Sequence, residues 1–272
     1  MATVRSLLGE GALPRLETQM LLQHVLGVPR SWLIAHDTDE LGQAVVAQYQ
    51  KLVALRLEGL PMAYLVGHRE FMGHSFMVEP GVLIPRPETE LLVETAVAEL
   101  KRRNLENPRV LDLGTGSGAI AISIALARPT ATVVATDLSQ TALEVADRNA
   151  QALGARVEFL QGNWFDALND RPAFDLIVSN PPYIHRDDPH LQQGDLRFEP
   201  VGALTDDADG LEAIRLIIAG ARGWLNPEGG LWLEHGYDQS AQVRGLLLEA
   251  GFSNVKSLTD LAGIERISGG NL

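Results

Sequence analysis

The chain has 272 residues, 46% hydrophobic and 21% charged, which is enough apolar material for a sizeable core and carries no mark of disorder. Its 35 acidic residues outnumber 22 basic ones for a net charge of −13, so the general phosphate attraction behind non-specific nucleic-acid binding is not expected. With no cysteine, disulfides, thiolate nucleophiles and thiolate metal sites are excluded.

The first ten residues lack the charged-then-apolar pattern of a signal peptide, and no apolar run approaches the ~20 residues that cross a bilayer. A cytoplasmic protein is the expectation. From about residue 14 to 60, apolar side chains recur at helical spacing, first Leu16, Met20, Leu21 and Val25, then Val45, Tyr49, Leu52, Val53 and Leu57. Gly27-Val28-Pro29 and Gly59-Leu60-Pro61 break the pattern into helices, so residues 1–62 read as a small helical domain. Over residues 63–82 the texture changes to aromatic and β-branched residues punctuated by Gly67 and Gly73, which predicts a β-hairpin linker.

From residue 83 to 272, strand-like and helix-like segments alternate. Strands are predicted at 109–113, 131–136, 157–160, 174–179 and 230–234, with helices at 119–127, 141–153, 210–224 and 239–250. Short strands separated by helices of this length predict a doubly wound, mainly parallel α/β sheet of the Rossmann-like class.

The segment Asp112-Leu113-Gly114-Thr115-Gly116-Ser117-Gly118 closes one such strand and opens a helix. Glycine lets the backbone turn tightly and approach a ligand with no Cβ in the way, and ligands of these sheets bind beyond the carboxyl ends of the strands. Gly114, Gly116 and Ala119 also satisfy the loose dinucleotide pattern, which is weak by itself. Asp137, ending the next strand, suits a ribose diol under either reading. The acidic Asp112 just before the glycines favours S-adenosylmethionine, whose amino-acid end is zwitterionic and which lacks a pyrophosphate. Asn163 and Trp164, after the strand 157–160, offer an amide and an aromatic face for adenine; a plain core position is the lesser alternative for Trp164.

The strand 174–179 runs into Asn180-Pro181-Pro182-Tyr183. Two prolines end the strand and leave the turn poor in N–H donors. The turn therefore offers the Asn180 side-chain oxygen and the Asn180 and Pro181 carbonyls as acceptors for a planar NH₂, and Tyr183 a flat face. The nitrogen of such a group is a weak nucleophile, so positioning must supply much of the rate. An ordinary Pro-Pro turn is the plain alternative; the glycine loop upstream in the same sheet favours the chemical one.

Taken with these motifs, Glu58 to Gly67, Arg69 to Gly73, Leu83 to Glu90, Asp188 to Pro200, Leu233 to Gly236 and Asp260 to Arg266 resemble the PrmC/HemK family of peptide chain release factor N5-glutamine methyltransferases over nearly the whole chain. The resemblance implies methyl transfer from S-adenosylmethionine, leaving S-adenosylhomocysteine, to the glutamine of the Gly-Gly-Gln loop of class I release factors. It further implies that the helical N-terminal domain helps dock that protein. By position, Asp112, Gly114, Thr115, Gly116, Ser117, Gly118, Asp137, Asn163, Trp164 and Asn180 would surround the cofactor, while Asn180, Pro181, Pro182 and Tyr183 would hold the target glutamine. Members often carry an acidic residue where Asn163 stands, and Asn keeps an acceptor for the adenine amino group.

Adenine-N6 methylation of nucleic acid would use the same tetrapeptide, but the acidic balance and lack of a basic recognition domain count against it. Methylation of a ribosomal-protein glutamine and a non-catalytic cofactor-sensing or release-factor-binding module are the other readings. Arg86, between Pro85 and Pro87, could serve the site or belong to a helix start carrying Glu88 and Glu90. His185, Asp187, Asp188 and His190 lack the helical spacing of a metal motif, and no metal is expected. His235 reads as structural, and Trp32, Trp224 and Trp232 as core.

Overall fold

A computed structural model describes residues 2–272, which divide into a unit ending at His68 and a unit from Arg69 to Leu272. The first unit holds α1 (Val4–Glu10), α2 (Arg15–Leu26), α3 (Arg30–Ala35), α4 (Gln43–Leu57) and α5 (Met62–Val66). Pro14, Pro29 and Pro61 stand at the N-caps of α2, α3 and α5, where a missing N–H costs nothing. Val4, Leu21, Leu22, Leu33, Tyr49 and Leu65 form its core. Arg56 closes the helices from the side with paired bonds to Glu17 at 2.9 and 3.0 Å.

The hairpin is shorter than the sequence suggested, and its aromatic residues pack within the second unit. Residues 62–66 are helical, because Pro61 starts a turn that Gly67 ends in the left-handed region at φ 78°. The strands are β1 (His68–Phe71) and β2 (His74–Met77), joined by Met72 and Gly73 at φ 51° and 76°. Two positive φ values are what a tight two-residue hairpin turn requires. Phe71 and Phe76 are buried edge-to-face, 5.9 Å apart, in the core of the second unit, so the hairpin belongs to that unit.

The second unit continues with α6 (Glu90–Arg102), β3 (Arg109–Leu113), α7 (Ala119–Ala127), β4 (Thr132–Asp137), α8 (Gln140–Leu153), β5 (Val157–Gln161), β6 (Phe174–Ser179), α9 (Val201–Leu204), α10 (Glu212–Ala221), β7 (Leu225–Glu234), α11 (Ser240–Glu249), β8 (Ser253–Thr259) and β9 (Glu265–Asn271). The seven strands pair in the order β5-β4-β3-β6-β7-β9-β8. The first five are parallel; β9 runs antiparallel to β7, and β8 to β9. Parallel strands are covered on both faces, which is why β3 and β6 are nearly continuous apolar runs.

The antiparallel pair β8–β9 was not expected from the sequence, since Gly269 and Gly270 weaken the strand pattern. Position 269 accepts no side chain, because a Cβ there would run into the Trp232 ring and the Leu231 carbonyl. Among the described residues no helix is long and apolar enough to cross a membrane.

Candidate active site

β3 and β6 lie side by side with Leu113 opposite Ser179, so the glycine turn and the tetrapeptide leave the sheet at the same edge. That adjacency brings together two motifs more than sixty positions apart in the chain. Ser179 reinforces it by donating its hydroxyl to the Leu113 carbonyl at 2.6 Å.

Gly114, Gly116 and Gly118 have φ of 71°, 56° and 82°, all left-handed. At Gly118 a Cβ would come within 2.7 Å of Ile122 Cδ1 and 3.1 Å of Ala146 Cβ, so this glycine lets α7 pack against α8. At Gly116 a Cβ would meet nothing within 4 Å, and the residue instead borders open space. The turn is held by N–H groups of Gly114 and Thr115 donating to the Thr136 carbonyl, each at 2.9 Å. Asp137 Oδ2 accepts from the Gly116 N–H and Oδ1 from that of Ser139, both at 2.8 Å. Burial raises the Asp137 pKa, while these N–H groups work to lower it.

Asn149 on α8 ties the turn to the hairpin. It accepts from the Met77 N–H at 2.7 Å and donates to the Met77 and Ser117 carbonyls at 3.0 and 2.9 Å.

Loop residues 114–117 with Asp137, Asn163 and Trp164 line a cavity of about 420 Å³, which Asn180 and Pro182 also border. This is a size typical of small-molecule sites. The glycine cradle, the Asp137 carboxylate and the flat Trp164 ring, which a Cβ at Gly114 would approach to 3.3 Å, together fit an adenosyl ligand such as S-adenosylmethionine.

Asp112 and Gly118 do not line this cavity. Asp112 is fully buried beside the turn, where Oδ2 accepts the Thr115 hydroxyl at 2.7 Å and Oδ1 has no partner. Burial pushes its pKa up to about 7, against hydrogen bonds from Thr115 and Ala121. Its place is that of a support for the loop.

A second cavity of about 280 Å³ is lined by Arg86, Asn180, Pro181, Tyr183, Glu234 and Arg266. Asn180 and Arg86 therefore border both cavities. Asn180 Nδ2 donates to Thr89 Oγ1 at 3.2 Å, and the Tyr183 hydroxyl donates to Glu234 Oε1 at 3.1 Å. Burial, with the charge and acceptor of Glu234 beside it, raises the Tyr183 pKa and keeps the phenol neutral. Arg86 pairs at 2.5 Å with Glu199, whose buried carboxylate also accepts the Ile84 N–H at 3.0 Å.

The sequence reading did not single out Thr89, Asn149, Glu199 or Glu234. Glu234 had a legible signal, a carboxylate closing the apolar run Leu231-Trp232-Leu233; Asn149, inside an amphipathic helix, had none.

His185 engages the exposed Asp187 and His190 engages the half-buried Asp188, and among the described residues no group of three or more His, Asp or Glu is gathered to hold a metal ion. His235 is fully buried, with Nδ1 at 2.9 Å from the Gly236 carbonyl and Nε2 at 2.7 Å from Ser268 Oγ. Burial lowers its pKa, so it sits there as a neutral structural group. Trp232 is buried in the core of the second unit and Trp224 packs at the margin of that unit's core, whereas Trp32 packs at the margin of the first unit's own core.

Residues 1–67 match the family model described as PrmC N-terminal domain, and residues 87–194 that described as Methyltransferase small domain. A release factor glutamine methyltransferase of Bordetella pertussis is 60% identical over 272 residues, covering 100% of both chains. One of Pseudomonas aeruginosa is 46% identical over 274 residues, covering 98% of each. Among solved structures, a T. thermophilus 16S rRNA methyltransferase in complex with AdoMet and guanosine aligns with a TM-score of 0.56 at 22% identity, over 75% of this chain and 49% of that one. This last likeness concerns the fold.

Proposed function

The chain belongs to the release factor glutamine methyltransferase family, and we propose on that footing that it methylates the side-chain nitrogen of the glutamine in the Gly-Gly-Gln loop of class I peptide chain release factors, giving N5-methylglutamine. The observation that carries the reading is Asn180, which borders both the 420 Å³ and the 280 Å³ cavity. A donor in the first and an amide in the second would face each other across its side chain.

S-adenosylmethionine, bound in the larger cavity, would supply an already activated methyl group. Asp137 would accept from the ribose hydroxyls with the lone pairs its two N–H partners leave free. Trp164 would cover the adenine ring, and Asn163 would accept from the adenine amino group. Asp112 and Gly118 would act through the shape of the turn.

In the smaller cavity, Asn180 Oδ1 and the Pro181 carbonyl would accept the two protons of the target amide. Two such bonds would orient its nitrogen and enrich it in electrons towards the methyl group that the cofactor would supply, and one N–H proton would pass to water. Tyr183 would pack its ring on the amide plane, held at its hydroxyl by Glu234. The helical unit would dock the release factor, and a cytoplasmic location accords with such a partner.

Labelled S-adenosylmethionine offered with a release factor or with adenine-containing DNA tests the substrate. Label on the release-factor glutamine is expected; label on DNA alone would overturn the reading. Asn180→Ala should abolish transfer while cofactor affinity stays close to that of the parent protein. Surviving transfer would remove the tetrapeptide from the chemistry.

A further inference from the structure

Four residues border both cavities, and two of them carry polar side chains: Arg86 and Asn180 stand there with Leu83 and Ala203. A primary amide has a donor end and an acceptor end. Asn180 and the Pro181 carbonyl serve the NH₂ end, which leaves the carbonyl oxygen to be matched, since an acceptor taken out of water without a partner is costly.

The side chains lining the second cavity that can donate are Arg86, Asn180, Tyr183 and Arg266. Asn180 Nδ2 is turned to Thr89 Oγ1 at 3.2 Å, and the Tyr183 hydroxyl is spent on Glu234. Arg266, whose Nε donates to Asp260 at 2.9 Å, lines the second cavity and not the first. Arg86 stands at the shared border with one edge of its guanidinium engaged. Its Nη2 pairs with Glu199 Oε1, and among the described residues no other acceptor takes its remaining N–H groups. Burial and Glu234 raise the Tyr183 pKa, whereas the charges of Arg266 and Arg86 pull it down, so both guanidinium groups are felt in this cavity.

Glu199 fixes where the Arg86 fork stands. Its side chain is fully buried and its two oxygens are divided: Oε2 accepts the Ile84 N–H at 3.0 Å, and Oε1 accepts from Arg86. A carboxyl held on both sides cannot swing, so it pins one edge of the planar guanidinium and leaves the other to a ligand.

We propose that Arg86 is a substrate-binding residue that donates to the side-chain carbonyl oxygen of the target glutamine, and that Glu199 positions it. The inference rests on the reading that this amide enters the second cavity with its NH₂ group on Asn180. A donor on one side and acceptors on the other hold the amide one way round. Reversed, its NH₂ would face a guanidinium and its oxygen the Asn180 and Pro181 oxygens, and neither contact is a hydrogen bond. As the nitrogen takes up a methyl group, its lone pair leaves the carbonyl and the oxygen becomes a weaker acceptor. Arg86 therefore serves binding and orientation and does not lower the barrier itself.

Calorimetric titration of the full-length protein with a class I release factor tests this, with S-adenosylhomocysteine present so that no transfer occurs. Arg86→Met should weaken the Kd for the release factor roughly tenfold to a hundredfold, the scale of a hydrogen bond from a charged donor. The Kd for S-adenosylhomocysteine should stay close to parental. Replacing the target glutamine of the release factor by alanine should weaken its binding to the parent by at least the same factor, and Arg86→Met should then cost nothing further. Arg86→Met leaves the Glu199 carboxyl buried without its cation, so the measurement is repeated with Arg86→Met/Glu199→Gln, in which the glutamine keeps an oxygen for the Ile84 N–H. That double variant should bind no worse than Arg86→Met, because Glu199 acts through Arg86.

An equal loss for both release factors would place Arg86 elsewhere on the interface and overturn the proposal. So would a variant that loses S-adenosylhomocysteine and keeps the release factor, which would assign Arg86 to the cofactor. A parent protein that puts no label on the release-factor glutamine would instead remove the reading beneath it.

Discussion

Asp112 is a fully buried carboxyl whose charge burial disfavours, and replacing it separates the stability of the loop from its chemistry. Its carboxyl, fully buried, is displaced from 3.8 to about 7, chiefly by desolvation, with the charge of Asp137 adding to the shift. About three pH units at ~1.4 kcal/mol each is roughly 4 kcal/mol of stability. The folded form holds its proton more tightly than the unfolded one, so this stability is fully present below about pH 3.8 and is lost as pH rises towards 7. Asp112→Asn keeps the shape, retains an oxygen for the Thr115 hydroxyl and removes the ionisation. Any hydrogen bond lost in the exchange is independent of pH. Denaturant unfolding of the ligand-free proteins near pH 4 and at pH 8 should therefore show the variant gaining about 4 kcal/mol relative to the parent between the two conditions. Carboxyls that do not interact with Asp112 titrate alike in both proteins and cancel in the difference, while the coupling to Asp137 is lost together with the ionisation. Parallel pH dependences would refute the reasoning, and would mean that Asp112 is ionised in the fold and stabilised by contacts beyond Thr115 and Ala121.

Two glycines of the turn should respond differently to alanine. Gly118→Ala adds a Cβ at 2.7 Å from Ile122 at a positive φ, so it should cost about 2–5 kcal/mol of stability in denaturant unfolding, whereas Gly116→Ala, with open space around it, should cost about 1–2 kcal/mol. Calorimetric titration with S-adenosylmethionine should show Gly116→Ala weakening binding because its methyl enters the cavity. Asn149→Ala strands the Met77 N–H and the Met77 and Ser117 carbonyls, and should destabilise by about 1–3 kcal/mol while lowering cofactor affinity. Asn149→Asp should be worse at pH 8, since a carboxylate would face those two carbonyls.

The alternation of strands and helices from residue 109 to 250, the glycine turn and the Asn180 tetrapeptide were all legible in the chain, because each depends on local chemistry: periodicity, positive φ, and proline's lack of an N–H. Residues 63–66 were misread and β9 was missed for the same reason in reverse. Their local texture pointed one way, while Pro61 and Gly67 capping a helix, or Trp232 lying on Gly269, decided otherwise. Bringing Asp137, Trp164 and Asn180 to one cavity was a matter of strand order, with β3 between β4 and β6, which no spacing in the sequence encodes. The supporting groups were the least visible. Thr89 looks like part of a helix start and Glu234 like a strand end, and only the folded sheet brings them to the two ends of the tetrapeptide. A hydrogen bond between residues ninety-one positions apart, as between Thr89 and Asn180, leaves no local trace because what makes it necessary is burial, and burial belongs to the tertiary structure.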